Sequence, residues 1–155
     1  TLGQLQQPEE AIAAYDELLG RFGGSTEPAL QKQVANALNG KGFTILLQAK
    51  NSHDNPEQKQ NLLQTALDNF AQALTRTPTE GHTIILGNQA YTLFLLGRAA
   101  ESELLLKAAL TLGGQALYDA ELADSRIHSL PEDEGFRILL DRLWQETQAP
   151  MAGEA

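Results

Sequence analysis

At 155 residues, with 42% hydrophobic and 20% charged side chains, the chain fits one folded domain and is neither a disordered segment nor a membrane-embedded one. Twenty acidic residues against eleven basic ones give a formal charge of −9 with no local basic patch, which argues against a nucleic-acid partner. The absence of cysteine excludes disulfide frameworks, thiolate metal sites and thiol nucleophiles; no apolar run approaches the roughly 18–20 residues that span a bilayer. The richest stretch, Tyr91 to Leu96, stops at Gly97-Arg98. A reducing compartment is compatible with a cysteine-free chain, and the cytoplasm is the expected location.

Ala, Leu, Gln and Glu dominate and Val occurs once, at position 34, so helices are expected almost everywhere. Gln6-Gln7-Pro8-Glu9-Glu10 puts a proline and two acids where a first helical turn wants them. The stripe Ala11, Ile12, Tyr15, Leu18, Leu19, Phe22 follows, and Gly23-Gly24-Ser25-Thr26 ends that helix with a left-handed glycine cap. A second helix is predicted from Pro28 to Ala49. A third starts at Asn55-Pro56-Glu57-Gln58, with Asn55 as the cap, and runs through Leu74.

Thr77-Pro78-Thr79-Glu80 breaks the third helix and offers a capping box for a fourth, from Glu80 to Leu96, which stops at Gly97. The fifth covers Ala99 to Leu112 and ends at Gly113-Gly114. The sixth covers Gln115 to Ile127, and a seventh starts at Ser129-Leu130-Pro131-Glu132 and ends near Thr147. The small, polar segment 149–155 is expected to be a disordered tail. Seven helices on short turns imply antiparallel neighbours in a single domain over 1–148.

Paired helices of this length call for a repeat search. Ala66, Phe70, Ala73 and Pro78 form a small-x3-aromatic-x2-small-x4-Pro frame. Ala11, Tyr15 and Leu18 repeat its first three positions loosely, as do Ser102, Leu106 and Ala109, preceded by Gly97. In this the chain resembles the tetratricopeptide (TPR) repeat family, whose A-x3-F…P element has this spacing. The small residue lets two helices approach, and the large one four positions on fills the gap between them. The family's W-x2-L-G-x2-Y element is degraded: Gly42 and Ile45 fit in the second helix, and Ala90 and Leu93 in the fourth. From Ala66 to Ser102 the interval is near the family's ~34-residue period, while the one from Ala11 to Ala66 is longer. That excess is expected in a longer start to the third helix.

The resemblance implies an all-α stack of antiparallel helix pairs wound as a right-handed superhelix (an α-solenoid), with the pair over 115–148 as a closing cap. Arg137, Asp141 and Arg142 charge one side of the last helix, opposite Phe136, Leu139, Leu140 and Leu143, as a terminal repeat requires. Leu2-Gly3-Gln4-Leu5 resembles the tail of a repeat's first helix, so the chain is expected to open in mid-repeat within a longer parent.

No residue set assembles a catalytic or metal site. His53, His82 and His128 are far apart and lack ligand spacing. Glu132-Asp133-Glu134 invites a paired-carboxylate reading, but first-turn dipole stabilisation explains it, as it does Glu101 and Glu103. The glycine pairs lack a P-loop's Lys-Ser/Thr, and Trp144 reads as core filling in the closing helix. The chain is therefore read as a non-enzyme with no cofactor.

By the resemblance, the first helix of each pair lines a concave groove for a peptide. Asn36, Asn39 and Phe43 on the second helix and Asn88 and Tyr91 on the fourth are the candidate lining. Amides both donate to and accept from a peptide backbone. The competing reading leaves the asparagines in solvent and puts Phe43 and Tyr91 in the core. The function expected is a module that docks a protein or peptide partner; the alternative is a self-associating scaffold, or one that packs against further repeats of its parent.

Overall fold

The computed structural model describes residues 2–52, 54–77 and 81–148, with side chains from residue 8 onward. Six helical elements make it up: α1 Leu2–Phe22, α2 Pro28–Asn51, α3 Pro56–Thr75, α4 His82–Leu95, α5 Ala99–Arg126 and α6 Pro131–Gln148. Each packs against its neighbour in the chain, and α4 also touches α2 and α6. Among the described residues there is no strand, and no helix is long and apolar enough to cross a membrane. The expectations for the side chains of 2–5, for His53, for the Pro78-Thr79-Glu80 cap and for the tail at 149–155 lie outside the described residues.

Four boundaries show how local chemistry was read, and misread. At the start of α3, the Asn55 side chain accepts a hydrogen bond from the Gln58 N–H at 3.1 Å, and Pro56 occupies the first turn. At Gly97 the chain turns left-handed (φ 85°), and the Arg98 N–H closes back on the Leu93 carbonyl at 2.9 Å. That six-residue closure satisfies a carbonyl left over at the end of α4.

Two expectations need correction. Helix α1 does not begin at Pro8 but runs through it. Pro8 is the seventh residue of α1, where its missing N–H forfeits one ladder bond and its ring crowds the carbonyl four positions back. Gly23 and Gly24 are not left-handed either, because among the described glycines only Gly97 and Gly114 have positive φ. α1 closes instead on an ordinary turn, Ser25 N–H to the Phe22 carbonyl at 2.9 Å.

The predicted fifth and sixth helices abut with no loop between them. Gly114 breaks the helical path at φ 60°, ψ −147°, and α5 continues on the far side. A side chain rarely adopts that backbone geometry, so the glycine permits the bend. The bend turns Leu117, Glu121 and Ser125 inward, one turn apart along the second stretch of α5.

Packing follows the small-large-small frame. Ala66, Phe70 and Ala73 on α3, and Ser102, Leu106 and Ala109 on α5, are all removed from solvent. Ala11, Tyr15 and Leu18 on α1 are half-buried, because α1 packs on α2 alone. Gly42 on α2 clears room for Phe70: a Cβ there would stand 2.7 Å from the ring. Burying that ring stabilises the pair by about 1.5–3 kcal/mol. Ser102 donates to the Ala90 carbonyl at 2.6 Å, which fastens α5 to α4.

Helix α6 packs on α5 and α4. Phe136 meets the edges of Tyr91 and Phe94 on α4 at centroid distances of 4.6 and 5.5 Å. Trp144 is half-buried and stacks on Tyr118 of α5, whose hydroxyl donates to Asp141 at 2.5 Å.

Candidate functional site

Three helices that are separate in sequence meet along one face: α2, α4 and the second stretch of α5. A cavity of about 320 Å³ lies between them. Asn39, Gly40 and Phe43 supply one wall, Ile84 and Asn88 a second, and Leu117, Ala120, Glu121 and Asp124 the third. A second cavity, of about 410 Å³, adjoins it towards the start of α2 and is lined by Lys32, Ala35, Asn36, Asn39 and Ile84 among others. Asn39 and Ile84 belong to both. Ile84 is 59% exposed, an apolar side chain left standing in a polar-edged trough.

The amides inside this trough are ordered. Asn88 donates from Nδ2 to Asn39 Oδ1 at 2.9 Å, which joins α4 to α2. Asn88 is buried and Asn39 half-buried. Each amide keeps further donor or acceptor capacity after that one bond.

Of the five residues named as candidate groove lining, four border the two cavities. Asn36 is exposed on the outer cavity, while Asn39, Phe43 and Asn88 surround the inner one. Tyr91 does not. It is 1% exposed and points the other way, into the interface with α6. Asn88 and Tyr91 are three positions apart on α4, less than one turn, so spacing does not separate them; Asn88 pairs with Asn39 on α2, while Phe136 of α6 covers the Tyr91 ring.

Tyr91 belongs instead to a closed polar cluster. Lys50, at the end of α2, donates to the Tyr91 hydroxyl oxygen at 2.6 Å and stands 3.2 Å from Asp133 Oδ2 on α6. The Tyr91 hydroxyl donates to Asp133 Oδ1, and the Leu130 N–H donates to Asp133 Oδ2 at 2.6 Å. Asp133 thus caps α6 from its third position and neutralises Lys50 at once. Burial pushes the Lys50 ammonium down from its usual range, opposed by Asp133. Burial, then the bond to Asp133, raises the Tyr91 hydroxyl. All three side chains are sealed from solvent, so the cluster fixes α2, α4 and α6 relative to one another and is closed to ligands.

The inner cavity contains the opposite case. Glu121 is 1% exposed, and its Oε2 has no hydrogen-bond partner. Burial, with Asp124 adding to it, lifts the Glu121 carboxyl well above the usual carboxylate range. Asp124, one turn on, is half-buried, and burial pushes it up to about 6 despite the pull of Lys50. Gly87 on α4 makes room for this acid, since a Cβ there would collide with Glu121 Oε1. Neither Glu121 nor Asp124 was singled out from sequence. A signal was present: Glu121 falls on the inward stripe of Leu117 and Ser125, where an acid is out of place.

Neither described histidine lines the trough. His82 is tied to the Thr77 carbonyl at 2.6 Å and His128 sits exposed in a left-handed turn. Among the described residues, no three His, Asp or Glu side chains converge as a metal cluster would. No protein-family model, curated protein or solved structure matches the chain.

Proposed function

We propose that the chain is a TPR-like helical stack that docks an extended peptide or a protein segment along the trough formed by α2, α4 and the second stretch of α5. The observation that carries this reading is the joined pair of cavities that share Asn39 and Ile84. A peptide needs an apolar foothold and groups that pair with its backbone. Ile84 and Phe43 offer the first, and Asn36, Asn39 and Asn88 the second. In this reading the first helices of successive pairs are α2, α4 and the second stretch of α5, and their alignment is what a solenoid groove requires. The segment over 115–148 then closes the stack and also completes the groove.

The test is selection from a displayed library of random decapeptides, followed by titration of the recovered sequences. Phe43→Ala with Ile84→Asp is expected to weaken them by about 100-fold while the helical circular dichroism signal persists, because interface energy concentrates in such apolar anchors. Recovery of no saturably binding peptide, or equal affinity in the double variant, removes the groove.

Self-association has one observation in its favour. Leu104 on α5 and Ile138 on α6 are 72% and 64% exposed. Sedimentation over a range of concentrations separates this reading from the first: a mass that grows with concentration, and reverts in Leu104→Lys with Ile138→Lys, assigns the apolar residues to a contact between copies.

A further inference from the structure

We propose that the inner end of the trough is a subsite for a long-stemmed cationic side chain, a lysine or arginine presented by the partner peptide, with Glu121 as its counter-ion. The inference rests on the groove reading and gives it a partner chemistry.

Glu121 is an expensive residue where it stands. A buried acid keeps its place in a core by pairing, and Oε2 pairs with nothing. Lys50, which reaches α5 at the Asp124 carbonyl at 3.4 Å and pulls on the Asp124 carboxyl, is already held by Tyr91 and Asp133. The fold also makes space for the acid rather than expelling it, because Gly87 leaves out the side chain that would displace the carboxylate.

The cavity around the acid has a graded lining. Phe43, Ile84 and Leu117 are apolar, and Glu121 and Asp124 lie on the same stretch of α5 beside them. Lysine and arginine have the matching profile, with an apolar stem that packs along hydrocarbon and a charged head beyond it. A divalent metal fits less well. Calcium takes about six to eight oxygen ligands, and no third His, Asp or Glu joins these two acids among the described residues. Asn39 and Asn88 remain to pair with the peptide backbone that delivers the stem. The chain's formal charge of −9 would draw a basic segment towards the trough from a distance.

The probes are three capped pentapeptides, alanine throughout except at the centre, which is lysine, arginine or norleucine. Norleucine keeps the stem and removes the charge. Each is titrated into the isotope-labelled full chain, with the Glu121 side-chain carboxyl carbon and the Asn39 and Asn88 side-chain amides observed by NMR. The lysine or arginine peptide is expected to shift all three signals saturably and to bind at least about tenfold more tightly than norleucine, the usual scale of a charge-assisted hydrogen bond. Glu121→Gln, which keeps the side chain's size, should abolish that preference.

Equal affinity for norleucine overturns the cationic subsite and leaves the groove standing. A cationic preference that survives Glu121→Gln overturns the assignment of Glu121. Shifts confined to α5, with Asn39 and Asn88 unmoved, support the subsite while removing the groove. No saturable shift with either cationic peptide overturns the subsite, and the comparison within the wild-type chain decides this even if the variant fails to fold.

Discussion

Asp133 and Glu121 are both carried out of solvent by the same stack of helices, and their surroundings differ in every other respect. Asp133 has Lys50, Tyr91 and the Leu130 N–H around it, and each of its oxygens is paired. Glu121 has an oxygen with no partner, a second acid one turn away and an open cavity alongside. Burial alone therefore distinguishes nothing. A buried charge with its partners in place holds elements together, whereas one left without them is a group whose partner must come from elsewhere.

The largest expected effect tests the first half of that contrast. Asp133→Ala strips Lys50 of its counter-ion, leaves the Tyr91 hydroxyl without its acceptor and uncaps α6. Urea unfolding should show a loss of about 3–5 kcal/mol. A loss below about 1 kcal/mol would mean that the cluster is a bystander and the contrast empty. Tyr91→Phe is milder, since the ring and its packing on Phe136 stay. Only the hydroxyl goes, and about 1–3 kcal/mol should go with it. Affinity for any groove peptide should not change, because Tyr91 lies outside the trough.

Glu121→Gln sharpens the other half. With no pairing to lose and a buried titratable charge removed, the variant should be no less stable than wild type near neutral pH. The pH dependence should change more than the midpoint. Both acids titrate above their ordinary values, so the folded chain holds protons that the unfolded chain has released. That contribution is fully present below the unfolded carboxyl range and is lost as pH rises through the folded values, which for Asp124 is about 6. The groups around these acids are Tyr91 on α4, Lys50 on α2 and, beyond Lys50, Asp133 and Arg137 on α6. Relative to wild type, Glu121→Gln with Asp124→Asn should gain stability as pH rises from about 4 towards 7. Parallel pH profiles would place both acids in water.

The smallest effect is expected at the surface. Lys59 and Glu132 form an ion pair at 2.8 Å between α3 and the start of α6, next to Asp133 in sequence. Glu132 is half-open to solvent, and Lys59→Ala should cost no more than about 1 kcal/mol, a value that should shrink further in high salt. A salt-independent loss as large as that of Asp133→Ala would make adjacency in sequence, rather than burial, the deciding variable.

Several local causes were legible in sequence, although the helix start read at Pro8 and the left-handed cap read at Gly23-Gly24 were not what the chain forms. The helical class follows from composition, the Asn55 cap from an amide beside a proline, and the ends at Gly97 and Gly114 from residues that tolerate positive φ. The small-large-small frame on α3 and α5 was legible for a related reason. A helix repeats every 3.6 residues, so spacing in the chain fixes which side chains share a face. Four of the five candidate lining residues, named through a resemblance, border the two cavities between α2, α4 and α5.

What sequence left open was decided by which faces have helices on both sides. Tyr91 and Asn88 differ by less than one turn, and nothing in their spacing says that α6 would cover one while α2 paired with the other. Glu132, Asp133 and Glu134 are three acids in one first turn, equally suited to a helix dipole. The approach of Lys50, 83 positions before Asp133, selects the middle one. Glu121 is left with an unpaired oxygen because the break at Gly114 turns its stripe against α4. Partners of a buried charge come from distant parts of the chain, and their positions are set by the packing of whole helices rather than by the residues beside it.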